Sequence, residues 1–388
     1  MISMSGGRTQ FAPTGAYAYQ FTHHTHKKGD THMTKYIPYP AYANDAPVDL
    51  RFVYKKEVPA GKHGFLKADG DRFVFEDGTE ARFWGTNFNS GACFPSHEYS
   101  EGVALRLAKI GCNIVRFHQL DAEWATPNIF QFTKGERQAT SMELDPESME
   151  HLDYLVYCLK KNGIYVYFDL LTYRKFRSGD GVVNAHLLPD AGKPYIYFDE
   201  RLIELQKKFA YDFWTHVNPY TGIANKDDPV FVMSEIVNET DLFTNKKIVV
   251  EPYATNFRNM FDAWLKENSI EFDAYAVELD DNTAEPLVNF KIEVMEKYYI
   301  DMYTFLRKIG VKIPINGTNW QRNGAVTKTQ NVTDYSDGHP YFYGWVWGEV
   351  EKRCIHKGLT QEPDSYRGFM SMASHRLPDK PSSSPSGI

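Results

Sequence analysis

The run Val230-Phe231-Val232-Met233-Ser234-Glu235-Ile236-Val237-Asn238-Glu239 decides how this chain folds. It is β-rich and apolar for most of its length, and its polar groups gather at the end. The same profile recurs along the chain. Residues 82–88, 113–120, 164–172, 312–320 and 332–339 read as further strands, and from 113 on each ends in a polar group: Arg116-Phe117-His118, Asp169-Leu170-Leu171-Thr172-Tyr173, Asn316-Gly317-Thr318-Asn319-Trp320 and Asp337-Gly338-His339-Pro340-Tyr341. Between them lie helical patterns over residues 98–110, 146–162, 200–216, 254–268 and 287–309. Ala104, Leu107 and Ala108 stop at Gly111, and Met149, Leu152, Leu155, Val156 and Leu159 stop at Gly163, both glycine stops. Strand, helix and parallel strand in alternation make an α/β fold. Polar groups at the C-terminal end of strand after strand favour a TIM (β/α)8 barrel, whose site lies at that mouth. A doubly wound sheet would collect them at one switch point. No GxGxxG or P-loop occurs.

Outward from this core, residues 51–80 carry turn signals, Ala68-Asp69-Gly70-Asp71 and Glu76-Asp77-Gly78, around Arg72-Phe73-Val74-Phe75. They predict a short β-hairpin ahead of the barrel. Residues 1–45 hold Gly6, Gly7, Pro13 and a His/Lys cluster, and are expected to be a disordered tail, with Met33 a possible start. Residues 46–381 form the expected barrel unit, and 382–388 a second tail.

Composition removes several functions. The 43 Lys and Arg against 50 Asp and Glu give 43 − 50 = −7, without a basic block, so no nucleic-acid partner is expected. No apolar run of about 18 residues exists, so no membrane span is expected. Cys93, Cys112, Cys158 and Cys354 lack CxxC spacing and read as reduced and buried. Neither Met1 nor Met33 begins a signal peptide, which points to the cytoplasm. Asn-x-Thr matches at Asn238, Asn316 and Asn331 are taken as chance, since one overlaps the candidate site. The oligomeric state is left open.

Period-two geometry puts Glu235, Val237 and Glu239 on one strand face, and Arg116 and His118 on one face of another. With Glu239 at the mouth, Glu235 lies beneath it and needs a partner. Arg116 is the natural one, in a pair that could equally be structural alone. The chain has 7 Trp, 25 Tyr and 26 Phe, and Trp124, Tyr173, Trp320, Tyr341, Tyr343, Trp345 and Trp347 lie near strand ends, where flat rings suit the apolar faces of sugars.

Together, Phe83-Trp84-Gly85-Thr86-Asn87-Phe88, Gly111 through His118, Asn218-Pro219-Tyr220-Thr221-Gly222 and Ile236-Val237-Asn238-Glu239 resemble the retaining (β/α)8 glycoside hydrolases, most nearly the cellulase-type family 5, over roughly residues 50–381. The resemblance implies hydrolysis of β-linked oligo- or polysaccharide, a carbohydrate substrate, and no cofactor or metal. It makes Glu239 the acid/base carboxylate and Asn238 the ligand of the sugar 2-hydroxyl. Arg116 would hold the nucleophile's carboxylate, and His339 and Tyr341 would line the −1 subsite. His118 and Trp320 are added as strand-end substrate contacts. A retaining pair lies about 5–5.5 Å apart, and the acid's raised pKa is expected to come from the nearby nucleophile.

The sequence departs from this family in one respect. Six strands can be placed. After Lys380-Pro381 the chain reads Ser-Ser-Ser-Pro-Ser-Gly-Ile where a seventh strand ending in the nucleophilic Glu is expected. The expectation is therefore an incomplete, truncated barrel that is poorly soluble or needs a partner, with little or no retaining hydrolysis. The rim carboxylates Asp334, Asp337, Glu349 and Glu351 are lesser candidates for the missing role. A catalytically inactive carbohydrate-binding barrel is the alternative function. A metal-dependent hydrolase would need His-x-His on strand one, which ends Thr86-Asn87-Phe88.

Overall fold

A computed structural model describes residues 48–133, 136–137, 139–244, 247–320 and 324–339. In chain order its elements are β1 (Leu66–Asp69), β2 (Arg72–Phe75), β3 (Gly85–Asn89), α1 (His97–Lys109), β4 (Ile114–His118), β5 (Phe132–Thr133), β6 (Glu136–Arg137) and α2 (Pro146–Lys161). There follow β7 (Tyr165–Leu171), α3 (Glu200–Thr215), β8 (Val217–Asn218), β9 (Ile223–Ala224), β10 (Phe231–Val237), α4 (Tyr253–Glu267), α5 (Glu285–Lys308), β11 (Ile315–Asn316) and α6 (Gly324–Thr329).

The main sheet has five strands in the order β11-β10-β7-β4-β3, all paired in parallel. Strands joined by helical crossovers thus lie beside one another in chain order, with no reversal. That is the order of a (β/α) barrel, and it rules out the switch point of a doubly wound sheet. The helices start and stop where local chemistry dictates. Ser96, Asp145 and Asp199 cap α1, α2 and α3 through their side chains. Gly111 and Gly163 follow α1 and α2 with φ of +86° and +78°, a backbone that costs glycine little.

Strand alternation separates the two faces. Phe168 of β7 points outward and stacks on Phe213 of α3 with centroids 3.6 Å apart. Tyr167 and Asp169 point inward, as do Arg116 and His118 of β4 and Glu235 of β10. The hairpin β1–β2 sits under the N-terminal end of the sheet, where Phe75 stacks on Tyr165 at 5.2 Å and Phe73 meets Tyr335 edge-on at 5.7 Å.

Two expectations change. The fifth strand, expected over 312–320, pairs only at Ile315–Asn316. The sixth, expected over 332–339, is not a ladder strand among the described residues. Gln330–Val332 is a 3-10 turn, and the chain then runs beside the fifth strand through two separated bonds, Asp334 N to Ile315 O (3.0 Å) and His339 N to Asn319 O (3.3 Å). The side chains of Thr333 and Asp334 are spent on local and helix contacts, which break the ladder's regularity. Cys93, Cys112 and Cys158 are buried free thiols. No helix among the described residues is long and apolar enough to cross a membrane. The expected terminal tails, Cys354, Tyr341, Tyr343, Trp345, Trp347, Glu349 and Glu351 lie outside the described residues.

Candidate active site

The inward groups of neighbouring strands converge at the C-terminal end of the sheet. Register makes this possible. Arg116 lies level with Tyr167, and Glu235 with both Asp169 and Asn316. Arg116 is buried and donates from Nε to both oxygens of Asp169 at 2.9 Å and from Nη2 to Glu235 Oε1 at 3.0 Å. Its guanidinium lies 4.7 Å over the ring of Tyr167, whose hydroxyl donates to Asp337 at 2.9 Å. His118 Nδ1 makes a very short contact with Asp169 Oδ2.

One arginine therefore meets three buried carboxylates, Asp169, Glu235 and Asp337. They do not share its charge equally. Burial raises the Asp169 carboxyl, but Arg116 and His118 outweigh it, and its pKa falls below the usual value. Glu235 is pushed well above its usual value, by burial first and then by Asp169, Asp337 and Glu239, against which Arg116 is insufficient. Glu235 is thus the member of the three whose charged form the site favours least. Asn319 and Asn316 complete its shell at 2.9 and 3.2 Å. Asn316 Oδ1 has no partner in this arrangement.

Above this layer stands Glu239, at the turn that ends β10. Its φ of +42° is left-handed, an unfavourable backbone for a non-glycine residue that is typical of functional sites. Asn319 Oδ1 accepts from its backbone N–H at 3.0 Å and holds the turn. Asn319 also donates to Asn238 Oδ1 at 2.8 Å. The buried Asn238 amide nitrogen keeps no partner, so a donor is available at the site.

His339 links the two layers. Its Nε2 lies 2.5 Å from Arg116 Nη1 and 3.0 Å from Asn319 Nδ2, both obligate donors. Nε2 must accept, so the proton sits on Nδ1 and is donated to Glu239 Oε1 at 3.1 Å. Tyr173 donates to the other oxygen, Oε2, at 3.4 Å. Burial raises the Glu239 carboxyl, but the His339 hydrogen bond and the positive charges nearby, Lys193 among them, bring its pKa below the usual value. The expected upward shift was tied to a neighbouring nucleophile, which does not stand among the described residues, so the lowering belongs to the described groups alone.

Of the sequence candidates, Glu239, Asn238, Arg116, His118 and His339 are brought together. Trp320 lies at the rim, its indole N–H donating to Thr244 Oγ1 at 2.7 Å. Asp337 lies inside the network. Asp334 does not reach the mouth, since it binds Arg307, Tyr303 and the Ile315 N–H near the start of β11. Asn319, Asp169 and Tyr173 were marked only as strand-end polar or aromatic groups without a role, and Lys193 was not marked. Position marked the first three, but their partners come from other strands and no pattern announces those. Lys193 lies in the long β7–α3 loop, where no pattern marks it.

No family model matches the chain. A stretch of 114 residues, 28% of the chain, is 30% identical to mannan endo-1,4-β-mannosidase F of Aspergillus fumigatus and spans only 26% of that protein. An endo-1,4-β-mannanase structure from Rhizomucor miehei overlaps 76% of this chain and 77% of its own at a TM-score of 0.49 and 15% identity. A family 5 glycoside hydrolase from Bacteroides vulgatus overlaps 79% of this chain and 53% of its own at 0.40 and 13%. Overlaps this slight carry no argument by themselves, and the fold rests on the strand order. The strand order and the inward polar cluster define an α/β chain of barrel type with its site at the strand ends. Within that class, the chain resembles the family 5 glycoside hydrolases.

Proposed function

We propose that this chain is a retaining β-glycoside hydrolase by design of its site, with Glu239 as the acid/base and a β-1,4-linked mannan-type polysaccharide as substrate. The observation that carries the reading is Glu239 itself. A carboxylate on a left-handed turn at the end of an inner strand, gripped on one oxygen by His339 and on the other by Tyr173, is aimed rather than merely buried. The sugar preference comes from the matched mannosidase stretch.

In the first step, the acid form of Glu239 would protonate the glycosidic oxygen as the carbon–oxygen bond breaks, while a second carboxylate attacks the anomeric carbon. In the second step, Glu239 would take a proton from water, which displaces that carboxylate. Its lowered pKa keeps the carboxylate deprotonated and makes the acid form scarce near neutrality, so turnover should improve as pH falls toward the carboxylate range. Asn238, with a free amide N–H donor, would bind the hydroxyl next to the anomeric carbon.

Asp169, Glu235 and Asp337 are buried and engaged with Arg116 or Tyr167, so none is free to attack. The nucleophile is therefore assigned outside the described residues. That same observation favours a second reading, a barrel that binds sugar without cleaving it. Release of reducing ends from β-1,4-mannan separates the two. Turnover that falls by about three orders of magnitude or more in Glu239→Gln supports the hydrolase. Calorimetric binding of manno-oligosaccharides without turnover supports the binding barrel, and neither binding nor turnover overturns both.

A further inference from the structure

Among the described residues near Glu239, neither the strand pattern nor the retaining mechanism accounts for Lys193. It lies in the loop between β7 and α3 and is 8% exposed, unusual for a lysine. Its Nζ hydrogen-bonds to none of the described residues and lies 4.5 Å from the ring centroid of Tyr173. That same tyrosine donates its hydroxyl to Glu239 Oε2. The indole of Trp124 leans against the ring as well, with centroids 4.9 Å apart. Tyr173 is fixed from behind, because Asp121 accepts from the backbone N–H groups of Thr172 (2.8 Å) and Tyr173 (3.0 Å).

We propose that Lys193 is a positioning residue for Glu239: its buried ammonium, held over the Tyr173 ring, keeps the Glu239 carboxylate ionised and keeps the Tyr173 hydroxyl turned toward it. A cation over a tyrosine face is attracted to the ring. In a site shielded from water it also stabilises a nearby anion. The charged groups around Lys193 are Glu239 and Glu235 from the β10 strand and its end, Asp121 from the loop after β4, and Asp190 from its own loop. The titratable groups around Glu239 are Lys193, His339 and His118. Glu239 is the first of the anions acting on Lys193, and burial still leaves the lysine's pKa lowered to about 8. The pair should therefore weaken as Lys193 loses its proton above that pH.

This proposal deepens the acid/base reading of Glu239, but its test does not need turnover. Glutamate labelled with 13C at the side-chain carboxyl is titrated in the full chain by NMR, and Glu239→Gln identifies the Glu239 signal. Lys193→Met should raise the Glu239 midpoint by about one pH unit, the lower range for removing one nearby opposite charge. Lys193→Gln should do the same, and serves if the Met variant does not fold. Lys193→Arg should leave the midpoint close to the parent's. An unmoved midpoint in folded Met or Gln protein overturns the proposal, as does an equal shift in the Arg variant, which would mean packing alone. Where mannan is hydrolysed, the alkaline limb of kcat/KM should rise with the midpoint. A moved midpoint without any hydrolysis supports the Lys193–Glu239 coupling while removing the hydrolase reading.

Discussion

Arg116 shows how one side chain organises the site. Replacing it with Met would leave Asp169 and Glu235 buried without their cation, at a cost of about 3–5 kcal/mol. At roughly 2–4 °C per kcal/mol for a domain of this size, the melting temperature should fall by about 10 °C, and a change within two degrees would show that the network is dispensable. Glu235 gives the opposite result. Its folded pKa is raised, so its stabilising contribution is fully present below its ordinary value near 4.3 and is lost as pH rises toward the folded value. Glu235→Gln removes that dependence. Its amide keeps the oxygen that accepts from Arg116 and Asn319, and its N–H finds the unpartnered Asn316 Oδ1 once that amide turns over. Urea unfolding at pH 5 and pH 8 should show the parent losing more stability across the interval than the variant; parallel losses would contradict a raised pKa at Glu235. Arg116 beside Glu235 was legible from period-two alternation alone. The raised pKa of Glu235 was not, because it depends on Asp169 and Asp337 arriving from other strands.

At the scale of elements, the glycine that begins β3 is the tightest joint. A Cβ on Gly85 would lie 1.8 Å from the Ile114 carbonyl oxygen and 2.7 Å from its carbonyl carbon, both in the backbone of the neighbouring strand. The carbonyl cannot move without breaking the pairing of β3 with β4. Gly85→Ala should therefore destabilise by about 3 kcal/mol or more, beyond ordinary overpacking, and β3 should come away from the sheet. Denaturant midpoints within about 0.5 kcal/mol of the parent's would contradict this. The helices and the long strands were legible because each carries its own periodicity and stop signals, as at Gly111 and Gly163. The β11 ladder and the segment after it were not. There the residues are held by side chains, Gln330 to the Thr318 N–H and Asp334 to the Ile315 N–H, and no repeat announces such bonds.

Across the whole molecule, the sheet order sets a gradient of stability. β7 and β10 each have partners on both sides, and their residues are buried throughout. β3, at one end of the order, pairs only with β4 among the described residues and is only half-buried. Local opening is cheapest where backbone bonds are fewest and burial least. In native-state hydrogen exchange, amides of β7 and β10 should exchange only through global unfolding, while those of β3 exchange earlier and independently of denaturant at low concentration. The site spans this gradient unevenly. Asp169, Glu235 and Glu239 stand on or beside the two central strands, so the acid/base carboxylate should keep its geometry even when β3 opens. A β3 as slow to exchange as β7 would contradict the gradient and would mean that its outer edge is paired in solution, the closure that a full barrel requires. That outcome would also raise the expected turnover, since a closed barrel is the setting in which a carboxylate from a later strand can face Glu239.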